Sequence, residues 1–459
     1  MQIIYFYIVL ILSTIPMFLP GIRENLCLLI LHIFIATISS LSLFLHKRET
    51  FSLYKISHLF FLFFLCIAPI LQFKNDVTFW EGRKYPDFYY IYTSFIILCI
   101  ILIFNLIYSI VYNKSKCSSI VKFSNNISSY IVNDKSLSLK EFLYFIGIDI
   151  IILTSVLYLK KFNLFFLFIR GGVTDGQNII LEIETDGVPQ IAALIIGNFL
   201  RPLSVVIYLI AYKLKANKIE LLILFIFMLL SAFPTSMPRF SAAAMYIPVM
   251  LTFFPSFRKG FIFIFVIGLL VVFPFLNNFR YLTSNSNIEF GIDFEMFLEA
   301  HFDAYSNFVH ILANDISTFG YQLLGSLLFW VPRSIWPSKP VGSGAFLSEE
   351  VNLDWANISC CYFAEGYINF RFLGILIFTI IIAWICASFD KVYWKFNRKV
   401  QKQNCFFELI YFLLLGLMFF ILRGDLMSSL AFTLGFIFSV LFVYYFLLFI
   451  RKYSFRFKF

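Results

Sequence analysis

Residues 88–112 read FYYIYTSFIILCIILIFNLIYSIVY, twenty-five residues without one Asp, Glu, Lys or Arg. A helix rises about 1.5 Å per residue, so a run of this length covers the roughly 30 Å of bilayer hydrocarbon. Similar runs recur near 3–20, 25–45, 52–71, 141–159, 191–212, 219–233, 241–254, 260–277, 371–389, 405–422 and 427–450. The sequence therefore predicts an all-α, polytopic integral membrane protein of about twelve transmembrane helices, with 1–459 as a single membrane domain. Two of the runs, 219–233 and 241–254, are short and flank the turn Pro234-Thr-Ser-Met-Pro-Arg-Phe240, a pattern that also fits a re-entrant pair.

Composition agrees and excludes a water-soluble fold: 61% hydrophobic, 14% charged and a mean hydropathy of +0.87. The 63 Phe read as lipid-facing filler. A net charge of +10 could suggest nucleic acid, but the cations sit in short clusters between apolar runs and at the C-terminus, where they act as topology signals. Most of the eight Cys lie inside apolar runs, and no C-x2-C pair or His cluster offers metal-ligand spacing, so neither metal nor cofactor is expected. Adjacent Cys360 and Cys361 read as small packing residues. The N-terminus lacks a basic n-region and a small-residue cleavage site, so its first run reads as an uncleaved span.

Orientation follows from the cations, because cytoplasmic loops collect Lys and Arg. With the N-terminus inside, His46-Lys47-Arg48, the stretch 113–140, Lys213 to Lys218, Arg258-Lys259, Lys391 to Lys402 and Arg451 to Lys458 all fall in the cytoplasm, and all are basic. The opposite loops 72–87 and 160–190 offset their cations with Asp76, Glu81 and Asp87 or with Asp175, Glu182, Glu184 and Asp186. Both termini are thus expected in the cytoplasm. The longest external stretch, 278–370, is a large periplasmic loop between the ninth and tenth spans, with its own helices at Glu295 to Leu312 and Phe319 to Phe329.

That loop carries Arg280, Asp293, Glu295, Glu299, His301, Asp303 and Tyr305, then Trp330-Val-Pro-Arg-Ser-Ile-Trp-Pro-Ser-Lys-Pro340. Trp, Pro and Arg together suggest a rigid loop at the membrane interface, with Arg333 and Lys339 reaching outward. Within or beside spans lie Arg201, Arg239, Arg371 and Arg423, and a charge in hydrocarbon costs at least about 2.5–3.5 kcal/mol. Arg201, followed by Pro202, is the deepest. Arg423-Gly-Asp425 occupies the turn between the last two runs and reads equally as an internal ion pair or a ligand site. Converging guanidinium groups suit phosphate oxygens, which they bind in pairs, so a diphosphate lipid is the expected ligand. His301, Asp303 and Glu365 are the candidate bases, with helical spacing placing His301 and Tyr305 on one face and Asp303 away from them.

On these residues the chain resembles the Wzy-type oligosaccharide repeat-unit polymerases of bacterial O-antigen and capsule synthesis. The resemblance rests on Pro238-Arg239, the segment Val331 to Pro340, Glu365-Gly-Tyr-Ile-Asn369 with Gly374, and Arg423-Gly-Asp425. Arg280 with Gly291 and Arg333 with Gly344, each pair enclosing ten residues, resemble a further spacing of that family. The resemblance implies an inverting glycosyltransferase that joins undecaprenyl-diphosphate-linked repeat units, needs no metal, and works beside a chain-length regulator. Arg201, Arg239, Arg280, Arg333, Lys339 and Arg423 would hold the diphosphate and sugar, and His301, Asp303 or Glu365 would take the acceptor proton. An O-antigen ligase shares this architecture. A flippase or secondary transporter is disfavoured by the long external loop and the lack of two related halves. Reporter fusions within 113–140 and 390–404 should report cytoplasm, and those within 278–370 the periplasm; the reverse pattern would overturn the orientation.

Overall fold

The computed structural model describes residues 2–45, 49–79, 84–114, 136–168, 195–269, 295–351, 358–396 and 405–454. Regular structure among them is entirely helical. Among the described residues, eight helices are long and apolar enough to cross a membrane: Leu26–Phe44, Leu53–Lys74, Asp87–Asn113, Leu139–Leu159, Lys218–Ser236, Tyr362–Trp394, Phe406–Arg423 and Leu426–Lys452. Of the remaining expected spans, the first and eighth are the shorter helices Gln2–Phe18 and Arg239–Phe253. The sixth is a π-turn, Ile196–Leu200, running into Arg201–Lys213. The ninth is described only through Phe261–Ile267 and the residues just after it.

Helix ends follow local chemistry. Asn25 and Ser52 accept from Leu28 N and Lys55 N, and Ser138 with Glu141 and Asn217 with Glu220 form capping boxes. Two π-turns, Phe63–Ile67 and Ile196–Leu200, each end two residues before a proline, Pro69 and Pro202. Proline lacks an N–H and its ring crowds the carbonyl four residues back; the wider turn moves that carbonyl aside and the helix continues.

The chain divides into two compact units. The first comprises Met1–Lys116, Phe294–Lys391 and Met418–Ala431; the second comprises Cys117–Asp293, Val392–Leu417 and Phe432–Phe459. In the first, helix Asp87–Lys114 packs along Tyr362–Lys391. Fully buried Asp390 accepts from Leu53 N (2.9 Å), Tyr54 N (3.1 Å) and Tyr108 OH (2.9 Å), so one carboxylate ties three helices. In the second, Leu139–Leu159, Arg201–Lys213 and Lys218–Ser231 pack together. Arg451 Nε donates to Glu141 at 2.7 Å, and Glu408 takes Lys213 and, at 3.4 Å, Arg258. Gly416 lets helix Arg239–Phe253 approach closely, since a Cβ there would lie 2.5 Å from Ala244 Cα.

Two expectations change, and one helix carries a break. The helix expected over Glu295 to Leu312 is two 3-10 turns, Glu295–Leu298 and Ala300–Phe302, followed by the α-helix Ala304–Ala313. Asp303 therefore begins a helix, and the continuous helical face proposed for His301 and Tyr305 does not exist. The helix expected over Phe319 to Phe329 shortens to Tyr321–Leu327, because left-handed Gly320 (φ +90°) precedes it. Finally, Tyr362–Lys391 is broken at Phe370 and at Arg371, whose φ of +52° is unusual for a non-glycine residue. Across the break Gly366 and Gly374 touch backbone to backbone: a Cβ on Gly374 would lie 1.8 Å from Gly366 O. Gly374→Ala should destabilise the purified protein by about 1–3 kcal/mol through overpacking, whereas Gly147→Ala, with open space around it, should not; equal melting temperatures for both would remove the close approach.

Candidate functional site

Of the candidate residues described in the first unit, two are buried carboxylates, Asp303 and Glu365, and the first of them holds Arg423. Asp303, 1% exposed, lies at the N-terminus of helix Ala304–Ala313. Its Oδ2 accepts from Ser359 N (3.2 Å) and Asn307 Nδ2 (3.1 Å), and its Oδ1 from Ser359 Oγ and Arg423 Nη2 (3.3 Å). Asn307 Nδ2 also donates to Ser359 O at 2.6 Å, closing the ring. Burial pushes the Asp303 carboxyl above the usual carboxylate range, against the pull of Arg423, Ser359 and Asn307.

Arg423 is the last residue of helix Cys405–Arg423. A cation at a helix C-terminus meets the negative end of the helix dipole, which favours it there. Its Nε donates to His301 O at 2.8 Å and its Nη2 to Ala300 O at 3.4 Å, so the guanidinium is oriented by the turn that carries His301 as well as by Asp303. His301 Nε2 lies 3.3 Å from Glu299 Oε2, with the two side chains 17% and 34% exposed. Among the three candidate bases, His301 is the one whose side chain is only partly buried and has a carboxylate to orient its ring.

Glu365 is fully buried in the short helical segment before the Phe370–Arg371 break. Its Oε2 accepts from Ser343 Oγ and its Oε1 from Leu426 N, both at 2.8 Å. Asp425 Oδ1 accepts from Ser428 N at 2.9 Å, so both carboxylates serve the free amides that open helix Leu426–Ser454. Cys360, buried beside Asp303, Glu365 and Asp425, has its thiol pKa raised by burial first and by those carboxylates next, which keeps it a neutral packing group. Cys360 and Cys361 are both free thiols.

Arg333 and Lys339 lie on the segment that leads into Ser343. Arg333 is exposed and donates to Lys339 O (2.7 Å), while Lys339 Nζ donates to Phe329 O (2.5 Å) and Val331 O (3.0 Å), so the loop is knitted to itself. Gly342 packs on Asp425, where a Cβ would lie 2.8 Å from Oδ1, and a Cβ on Gly344 would lie 2.2 Å from Ile358 O. Both glycines are required by close approach. Arg201 and Arg239 belong to the second unit. Arg201 is 9% exposed with Nε unpartnered, and Arg239 is half-buried at the first position of its helix. Arg280, Asp293 and Gly291 lie outside the described residues.

Sequence reasoning did not single out Ser343, Ser359 or Asn307, which hold the carboxylates; short polar residues in a loop give no signal of their own. It also passed over Asp149, fully buried within Leu139–Leu159 beside Ser204. An acid alone in an apolar run was a legible signal. Among the described residues no group of three His, Cys, Asp or Glu side chains converges as a metal-ligand set. No protein family, curated protein or solved structure matches the chain.

Asp303→Asn keeps the side-chain shape but removes the charge facing Arg423, and should cost about 3 kcal/mol of stability, as expected for a broken buried pair. Adding Arg423→Gln should cost less than the sum of the two single changes. An unshifted melting temperature for Asp303→Asn would show that the pair does not hold this site.

Proposed function

We propose that the chain is a Wzy-type repeat-unit polymerase: a glycosyltransferase of the bacterial inner membrane that joins undecaprenyl-diphosphate-linked oligosaccharides at the extracytoplasmic face, with both termini in the cytoplasm. The observation that carries this reading is the knot of Arg423, Asp303 and His301, in which a guanidinium and an imidazole are held by one turn. A cation fixed before the reaction stabilises a developing diphosphate charge without reorganising, and so favours the transition state over the bound substrate.

In this reading the acceptor hydroxyl attacks the anomeric carbon of the growing chain from the face opposite the diphosphate. The new glycosidic C–O bond forms as the C–O bond to diphosphate breaks; the leaving group keeps the electron pair, and the configuration inverts. His301, oriented by Glu299, takes the hydroxyl proton. Asp303 is a positioning residue for Arg423, because its oxygens are already occupied by four donor contacts. Glu365 has the same framework role for Ser343 and Leu426. Arg333 and Lys339 supply further cations on the adjoining loop.

The test is a polysaccharide gel from cells lacking this gene alone, with a complemented control. Loss of the long ladder with a single repeat still attached to lipid A core supports the polymerase; loss of every repeat points instead to a ligase or flippase. Arg423→Ala and Arg333→Ala should each abolish the long chains in complementation, and His301→Ala should lower polymerisation by about 10²–10⁴-fold, the range of general-base catalysis. Normal chain length with any of them removes that residue from the mechanism.

A further inference from the structure

The helix Tyr321–Leu327 is built inside out. Tyr321, Leu324 and Leu327, spaced three apart along one face, are 42%, 46% and 57% exposed, whereas Gln322 and Ser326 are 3% and 1% exposed. A helix packed against water puts its apolar stripe inward and its polar residues outward. Its flanks continue the reversal, with Phe319 77%, Trp330 67% and Ile335 75% exposed. Single exposed apolar residues are ordinary, but six large ones within seventeen positions, 319–335, are not.

This surface is anchored to a membrane helix. Thr318 N donates to Ile368 O (2.6 Å) and Leu323 N to Asn369 Oδ1 (2.7 Å), just before the break in helix Tyr362–Lys391. Gly320 packs on the Phe370 ring, which a Cβ would approach to 3.0 Å. Beyond the break, Phe372 and Leu373 begin the spanning half of that helix and are themselves 50% and 62% exposed. The exposed apolar residues of the loop therefore adjoin those of a lipid-facing helix. Exposed Arg333 stands between Trp330 and Ile335, in the arrangement of an interfacial segment whose apolar body sinks while its cation stays at the phosphates.

We propose that residues 319–336 are immersed in the interfacial layer of the bilayer, with phospholipid as the partner of this surface: acyl chains against the apolar face and headgroup phosphate against Arg333. Interfacial helices of this kind sink about 5–10 Å into the headgroup–acyl boundary. The interfacial seat expected for the Trp330 to Pro340 loop thus extends back through helix Tyr321–Leu327 to Phe319. It also sets the depth of the carboxylate site, because Gly325 packs on Pro340 and Gly342 on Asp425. Arg423 is then held near headgroup level, where the diphosphate of a lipid-linked substrate lies; this last step rests on the polymerase reading, whereas the immersion does not.

The experiment uses the full chain in phosphatidylcholine nanodiscs made with and without bromine on the acyl chains. The Trp330 signal is the difference between the unmodified protein and Trp330→Phe, and Ile335→Trp in the Trp330→Phe background gives a second position. Quenching by bromolipid, with aqueous iodide having little effect, is the expected result. Quenching by iodide without bromolipid would mean a water-facing loop, and quenching by neither would mean that protein covers the surface; both overturn the proposal. The readout involves no catalysis, so a failed polymerisation assay and a failed immersion remain distinct.

Discussion

A charge inside an apolar bundle must bring its partner with it. Lipid tails are as apolar as Leu and Phe, so burial of greasy surface does little to choose one helix arrangement over another. An unpaired ion, by contrast, costs several kcal/mol wherever it goes astray. The buried carboxylates Asp303, Glu365 and Asp390 in the first unit and Glu141 in the second, together with half-buried Glu408, each receive donors from segments distant in sequence. Asp303 gathers residues 307, 359 and 423, so the turn carrying His301, the stretch before helix Tyr362–Lys391 and the end of helix Cys405–Arg423 meet at one point.

Small residues complete what the charges begin. Gly366 against Gly374, Gly416 against Ala244 and Gly435 against Asn198 are places where any side chain would strike backbone. The first of these folds Tyr362–Lys391 back on itself, and the break leaves Arg371 at positive φ with its guanidinium 2.6 Å from Asp315. Strain of that kind persists only where neighbours over-determine the backbone. The same rigidity benefits the proposed chemistry, since a guanidinium held by Asp303 and two carbonyls has little freedom left to lose on meeting an anion.

Much of the architecture was legible because lipid imposes a length. Uncharged runs of about twenty residues can satisfy their backbone in hydrocarbon only as helices, and the start of the tenth run at residue 371 coincides with the break at Phe370–Arg371. The region between the ninth and tenth runs was harder to read. Its residues alternate between apolar and polar without a sustained period, so Glu295 to Leu312 read as one helix where the chain forms three short pieces. At the site, the residue types were visible, but their division of labour was not. Asp303 and Glu365 read as bases on chemistry alone, and only their hydrogen-bond partners show how fully each is engaged.

By itself, then, the sequence determined an all-helical chain with helices suited to a membrane and a set of cations and acids too costly to leave unpaired there. Those properties are local: hydropathy and length act along the chain. Which acid meets which cation, which glycine admits a neighbouring backbone, and which face of Tyr321–Leu327 turns outward were decided only in the tertiary structure. They depend on residues brought together across as many as 337 positions, as Leu53 and Asp390 are, and no local pattern encodes such a pairing.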